Sequence, residues 1–342
     1  MSKTVLGLNK PSHIAFIMVS LNNHISYIEA IRKQVANVVV GQDEVVERLL
    51  IALFTSGHIL LQGMPGLAKT LLVNALGKAI HLDFSRVQFT IDLLPSDILG
   101  SEILDQSSGK FTTHKGPVFT NLLLADEINR AAPKVQGALL EAMQERKVTI
   151  GDKTYRLPIP FLVIATQNPI EQSGTFELPE AQLDRFMLCH RLEYPTPEEE
   201  EEILKRNLDL GIQKQDGGAV ANTEFDIVSD DPVGESNDLI SVIDAVHQIH
   251  VSEVFIKHVV ELITRTRNNK HIELGASPRA GIALIKGARA RALIKGRDYA
   301  IPEDLFALAE DVLLHRMRLN YEALADGMNT ADALENILNT MG

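Results

Sequence analysis

The chain contains no tryptophan and a single cysteine, and aromatics make up only 5% of its 342 residues. So few rings supply little stacking area, which argues against a surface built to bind single-stranded nucleic acid. The formal net charge of −12 points the same way, since such a surface must neutralise phosphates, although a local basic strip on one face stays compatible with it. With Cys189 alone, no disulfide can close within the chain, and the thiol is expected to be a small packing residue in a reducing compartment. Long hydrophobic runs are also missing. The apolar stretch Ile14–Val19 falls far short of the roughly 20 residues that cross a bilayer, and no small-residue cleavage site follows it. The expectation is a cytoplasmic protein without an integral membrane segment, whose N-terminal stretch packs on the body or frays.

What is present is ordinary in bulk, with 45% hydrophobic and 23% charged residues, and the length suffices for two compact domains. Three uniformly apolar runs, His58–Leu61, Asn121–Ala125 and Phe161–Ala165, read as strands covered on both faces. Helical patterns at Glu44–Phe54, Thr70–Ile80 and Ala131–Arg146 separate them. Strands alternating with helices imply an α/β fold with a parallel sheet, whose ligands sit beyond the carboxyl ends of the strands. Two segments interrupt the rhythm: an excursion over Asp92–Pro117, and a hairpin pairing Lys147–Ile150 with Thr154–Leu157. After Tyr194 the character changes. Thr196 as N-cap, Pro197 in the first turn and the acidic run Glu198–Glu202 open a helix ending near Arg206, and the helix dipole accounts for the acids without a metal. Residues 211–237 read as a loop region, and the chain from Asn237 onward as helical throughout. The expected division is an N-terminal segment over 1–34, an α/β core over 35–194 and a small helical domain over 195–342.

The chemistry is concentrated around Gly63-Met64-Pro65-Gly66-Leu67-Ala68-Lys69-Thr70, between the first apolar strand and a helix. A loop in this position wraps phosphates with its backbone N–H groups, with Lys69 reaching the β and γ phosphates of ATP and Thr70 ligating Mg²⁺; Leu71 continues the phosphate-contacting segment. The strict pattern has glycine where Ala68 stands, and alanine replaces it only if its backbone avoids the left-handed region. The run Leu122–Glu127 is a buried strand ending in paired acids. Downstream of a phosphate loop, Asp126 can hold the Mg²⁺ water shell and Glu127 can deprotonate the attacking water. Asn168, in Thr166-Gln167-Asn168-Pro169 at the end of the third strand, either helps position that water or simply forms an Asn-Pro turn.

With these pieces assembled, the sequence resembles the MoxR family of AAA+ ATPases over about residues 35 to 320. The resemblance rests on the phosphate loop, on Gln88–Asp97, on Ala125-Asp126-Glu127-Ile128-Asn129-Arg130-Ala131 and on Leu178–Phe186. It implies a core sheet of order 5-1-4-3-2 and a helical lid, and it makes Ala68 usual. The excursion then corresponds to a helix-2 insert and the hairpin to a pre-sensor hairpin, as in magnesium chelatase subunits. Val40, Gly41 and Gln42 match the segment touching adenine, Asp126 and Glu127 the Walker B acids, and Asn168 sensor 1. Arg185 matches the arginine finger and Arg279 sensor 2, and Arg130 is a further candidate for an intersubunit contact. An ion pair to Glu180 or Asp184 is the plainer explanation of Arg185. Kinship also implies a homo-oligomeric, hexameric ring and chaperone-like work on proteins carrying a von Willebrand A domain.

Three functions compete on the residues: an ATP-hydrolysing protein remodeller, a nucleotide-gated scaffold with little turnover, and a nucleic-acid motor. Glu127 favours the first over the second. Charge and the shortage of rings weigh against the third, although Lys147, Lys153 and Arg156 could give the hairpin a basic surface. His247 and His250 lack accompanying Cys or acidic ligands at suitable spacing, so they read as ordinary helix histidines rather than zinc ligands.

Overall fold

The computed structural model describes residues 13–341 except 65, 108, 170–173, 216 and 217, and gives the backbone alone for 13–20, 214, 215 and 236. Pro65 and the side chains of Ile14–Val19 therefore lie outside the described residues. The chain opens with helices α1 (His13–Ala36) and α2 (Asp43–Phe54), then β1 (Ile59–Gln62), α3 (Lys69–Ile80) and β2 (Phe84–Gln88). A short α4 (Pro95–Leu99) leads into the hairpin β3 (Gly100–Asp105) and β4 (Lys110–Lys115). There follow β5 (Leu122–Asp126), α5 (Pro133–Glu145), the hairpin β6 (Lys147–Ile150) and β7 (Lys153–Arg156), β8 (Leu162–Gln167), α6 (Glu180–Leu183) and β9 (Leu188–Arg191).

Five of these strands form one parallel sheet in the order β2-β5-β8-β1-β9. Counting only its own strands along the chain, that is 5-1-4-3-2, as the resemblance implied. Alternation within the apolar runs explains the double cover. Ile59, Leu61, Leu122, Leu124, Leu162 and Ile164 pack toward α1, α2, α3 and the lid. Leu60, Leu123, Ala125, Val163 and Ala165 pack toward α5 and the base of the hairpins. Successive strand residues point to opposite faces, so only a run apolar at every position can serve both cores.

The strands β2 and β9 carry Ser85, Arg86, Gln88, His190 and Arg191, and the apolar-run criterion passes over them. Both are edge strands, each pairing with a single neighbour in the sheet, and their pattern is mixed. Cys189 on β9 is buried, and burial pushes its thiol up to about 12, in keeping with an inert packing residue. The two hairpins touch through Thr113 and Tyr155, whose hydroxyl oxygens lie 3.0 Å apart. The excursion is thus a folded insert rather than a loose loop.

After β9 the chain continues into the helical part that forms the lid, through α7 (Pro197–Leu208), a small hairpin of β10 (Ile212–Gln215) and β11 (Gly218–Ala221), α8 (Ser236–Gln248), α9 (Glu253–Arg267), β12 (Ile272–Leu274), α10 (Pro278–Ile294), α11 (Pro302–Leu313), β13 (Arg318–Leu319), α12 (Tyr321–Ala325) and α13 (Thr330–Asn339). Two expectations need correction here. The polar stretch 211–237 contains the β10–β11 hairpin, and the helical remainder is interrupted by the β12–β13 pair. Neither pair has the alternating apolar pattern that marks a strand over a core. The start of α7 is as read: Thr196 Oγ1 accepts from the Glu199 N–H at 3.3 Å, and Glu199 Oε2 accepts from the Thr196 N–H at 2.8 Å.

Core and lid meet through a buried ionic lattice. The Arg48 side chain, 5% exposed, donates to Glu44 Oε1 at 2.6 Å, to Glu47 Oε1 at 3.0 Å, to the Ala307 carbonyl at 2.9 Å and to Asp311. Glu47 accepts in turn from Lys295 and Arg291, and Asp311 also pairs with His190 at 2.8 Å. Glu44, His190 and Asp311 lie close enough to resemble a metal cluster, but the Arg48 guanidinium already supplies the cation to both carboxylates. Arg48→Ala removes the cation shared by the two buried acids Glu47 and Asp311 and should lower unfolding stability by about 3–5 kcal/mol. Lys205→Ala, which breaks an exposed pair to Glu201 within α7, should cost less than about 1 kcal/mol. Urea unfolding of the two variants side by side checks the contrast.

Candidate active site

The carboxyl ends of β1, β5 and β8 open into a cleft of about 600 Å³, a usual size for a small-molecule site. Val40, Gln42, Gly66, Leu67, Ala68, Lys69, Thr70, Leu71, Asp126, Glu127 and Asn168 all line it, so most of the residues singled out from the sequence converge. Gly63 and Met64 stand just behind, where their carbonyls accept from Lys69 Nζ at 3.2 and 3.1 Å. Burial lowers the Lys69 pKa, opposed by the nearby charges of Asp126 and Glu127. Gly41 lines the adjoining cavities instead. Its φ is +71°, which favours glycine, and a Cβ there would push aside the Glu199 carboxylate that caps α7.

Ala68 departs from expectation. It sits at φ 51° and ψ 22°, inside the left-handed region, immediately before α3. An L-residue pays about 1–2 kcal/mol for that conformation. The chain tolerates it because strand β1 and helix α3, both anchored in the core, dictate the turn between them. Glu127 is strained in the same way, at φ 55° and ψ 50° where the chain leaves β5. Such residues collect at functional sites when the surroundings over-determine them.

The surroundings of Glu127 are on neighbouring strands. Thr166 Oγ1, on β8, accepts from the Glu127 N–H at 2.8 Å and donates to Asp126 Oδ1 at 2.6 Å. Glu127 Oε2 accepts from Gln88 Nε2 at 2.9 Å and Arg130 Nη1 at 2.8 Å. Its Oε1 has no protein partner among the described residues. Arg86 on β2 donates to Asp126 Oδ2 at 2.7 Å. Thr70 and Asp126 give the cleft an all-oxygen donor set of the hard kind that suits Mg²⁺. Sequence reasoning missed Arg86, Gln88 and Thr166. The first two lie two residues apart, which in a strand means one face, but β2 itself went unrecognised.

The far wall of the cleft comes from the lid. Ile203, Leu210, Phe225 and Ile227 provide an apolar surface opposite the phosphate loop. Arg206 on α7 donates to the Ala36 and Asn37 carbonyls at 2.9 and 3.0 Å, tying the lid to the segment that enters Val40.

Arg185 and Arg279 do not line the cleft. Glu180 pairs with Arg318, while Asp184 accepts from Arg316 Nε at 2.8 Å, from Ser277 Oγ at 3.1 Å and from Arg279 Nη1 at 3.5 Å. Both acids offered as partners for Arg185 are therefore engaged elsewhere, and Arg185 has no ion pair among the described residues. No metal cluster includes His247 or His250 among the described residues.

The strain at Ala68 is testable. Ala68→Gly should fold with stability within about 1 kcal/mol of the parent, because relief of strain offsets the greater freedom of the unfolded chain. Ala68→Val, β-branched at positive φ, should lose about 1–3 kcal/mol and bind nucleotide worse. Thermal unfolding with and without ADP measures both.

Comparison with known proteins agrees with this geometry. The profile of the ATPase family associated with various cellular activities (AAA) matches residues 58–188, and that of the AAA lid domain matches residues 264–337. The chain is 43% identical to chaperone MoxR1 of Mycobacterium tuberculosis over 317 residues, covering 90% of this chain and 80% of that one. It is 30% identical to protein MoxR of Methylorubrum extorquens, covering 84% and 86% of the two chains. A crystal structure of a candidate ATPase from Cytophaga hutchinsonii superposes with a TM-score of 0.84 at 44% identity, covering 95% of this chain and 97% of that one. A parallel 5-1-4-3-2 sheet, a phosphate loop facing paired acids, a helical lid and these relatives together place the chain in the MoxR family of AAA ATPases.

Proposed function

We propose that this ATPase hydrolyses Mg²⁺–ATP at sites completed between subunits of a ring, and uses the cycle to remodel or mature partner proteins. The observation that carries the reading is the meeting of Lys69, Thr70, Asp126, Glu127 and Asn168 in one cleft. Lys69 holds the β and γ phosphates, and Thr70 and Asp126 hold the cation. When bound, Mg²⁺ neutralises charge on those phosphates. Glu127, anchored through Oε2, takes a proton from the attacking water at Oε1, and Asn168 orients that water. The base packs between Val40–Gln42 and the apolar wall opposite the phosphate loop, and the α/β core ends near Pro195, where α7 begins two residues on. Arg185 acts across the subunit boundary, which fits its absence from the cleft of its own chain, and Arg279 serves as sensor 2 on the lid. The word chaperone in the name of the mycobacterial relative supports a protein client, and family resemblance narrows this to clients carrying a von Willebrand A domain. A six-membered ring follows from the same kinship.

Lys69→Ala should abolish ATP binding by calorimetry, and retained affinity would mean that the loop at 63–70 is not the phosphate site. Glu127→Gln should bind ATP normally and slow turnover by roughly 10²–10⁴-fold, the usual weight of a general base. Wild-type protein that binds ATP without measurable turnover would favour the scaffold function instead.

Arg185→Ala should retain ATP binding and lose about 10³–10⁵ in rate, as removal of an arginine finger does. Mixing inactive Arg185→Ala with inactive Lys69→Ala subunits should restore turnover, because the latter lend an intact Arg185 to the former's intact phosphate loop. A co-assembled mixture that stays dead contradicts action across the boundary.

A further inference from the structure

Asp126 is the one carboxylate in the cleft read as a cation ligand, and both of its oxygens are engaged. Oδ1 accepts from Thr166 Oγ1 at 2.6 Å, and Thr166 is buried, so that bond is part of the core. Oδ2 accepts from Arg86 twice, from Nη2 at 2.7 Å and Nε at 3.2 Å. The Arg86 side chain is 47% exposed and belongs to an edge strand, so its hold on Asp126 is that of a partly solvated pair. Such pairs are worth little and separate readily. Arg86 Nη2 also donates to Gln88 Oε1 at 3.0 Å, a neutral partner on the same face of β2. The guanidinium therefore has somewhere to rest after leaving the acid.

We propose that Arg86 is a built-in counter-ion that competes with the divalent cation for Asp126 Oδ2 and swings onto Gln88 when the cation and nucleotide load. This rests on the assignment of Asp126 to the cation. A guanidinium within 2.7 Å of Oδ2 and a divalent ion beside the same oxygen repel one another at short range, so each occupancy disfavours the other. Before loading, Arg86 spares the largely buried Asp126 from standing as an unpaired charge. During loading, the cation must displace it, which raises the concentration of Mg²⁺ needed to seat a nucleotide. Arg86 thus sets the Mg²⁺ threshold of the site as a positioning residue.

The test reads nucleotide binding rather than turnover. Fluorescent mant-ADP is bound to wild type, Arg86→Gln, Arg86→Lys and Asp126→Asn across a Mg²⁺ titration, with a parallel binding curve in EDTA. Arg86→Gln should lower the half-saturating Mg²⁺ concentration by roughly two- to five-fold, the fold-change equivalent of an exposed ion pair. Its affinity in EDTA should match wild type. Arg86→Lys, which keeps the charge, should stay near the wild-type midpoint. An unchanged or higher midpoint for Arg86→Gln overturns the inference. So does a loss of mant-ADP affinity in EDTA, which would make Arg86 a phosphate ligand. Asp126→Asn should lose the Mg²⁺ response. If it keeps the wild-type midpoint, the cation assignment fails as well, whereas its loss beside an unmoved Arg86→Gln midpoint defeats the counter-ion role alone.

Discussion

One hydroxyl group organises the chemistry of this cleft. Thr166 Oγ1 stands between β5 and β8, donating to Asp126 and accepting from the backbone of Glu127. It can do so only because the two strands run parallel and in register, with Leu124 opposite Ile164 and Ala125 opposite Ala165. The pairing brings the end of one strand beside the last residues of the other. The same bond helps hold Glu127 in a left-handed conformation that its side chain would not choose alone. The uniformly apolar strands thus do more than fill two cores. They hold the polar ends in place, and a slip of one residue would turn Thr166 into the opposite face.

The second organising feature is the ionic seam between core and lid. Arg48 follows shortly after Gln42 in the chain and binds α11 through Asp311 and the Ala307 carbonyl. Asp184, at the opposite end of the core sheet's last connection, is clamped by Arg316 and the start of α10. The seam therefore ties the lid to α2 on one side and to the Leu183–Phe186 turn on the other. The clamp on Asp184 has a direct consequence for its neighbour. With Asp184 and Glu180 committed to other arginines, Arg185 is left without a protein partner among the described residues, the condition a group reserved for an adjoining subunit would need.

Much of this could be read from residue order, for identifiable reasons. A phosphate loop is recognised by backbone requirements and one lysine, and strands buried on both faces show as unbroken apolar runs. What stayed hidden depended on neighbours distant in sequence. Arg86 and Gln88 sit on an edge strand whose polar residues disguise it, and Thr166 directly follows an apolar run with nothing in its neighbours to show that it faces Asp126 and Glu127. Ala68 shows the opposite error. Local sterics argue against alanine at positive φ, yet the anchored strand and helix on either side impose that turn. Proximity in the chain points to Glu180 and Asp184 as partners of Arg185, but Arg318 and Arg316, far away in sequence, hold both.

In the proposed division of labour, one protomer supplies the phosphate-binding and water-activating groups, and its neighbour supplies the Arg185 cation that finishes the reaction. Specific ATPase activity measured over a wide dilution series, with the assembly state followed by sedimentation, separates a shared site from a self-sufficient one. Activity per protomer should climb with assembly and level off once the oligomer is formed. Activity per protomer that stays constant down to dissociated monomers would contradict it.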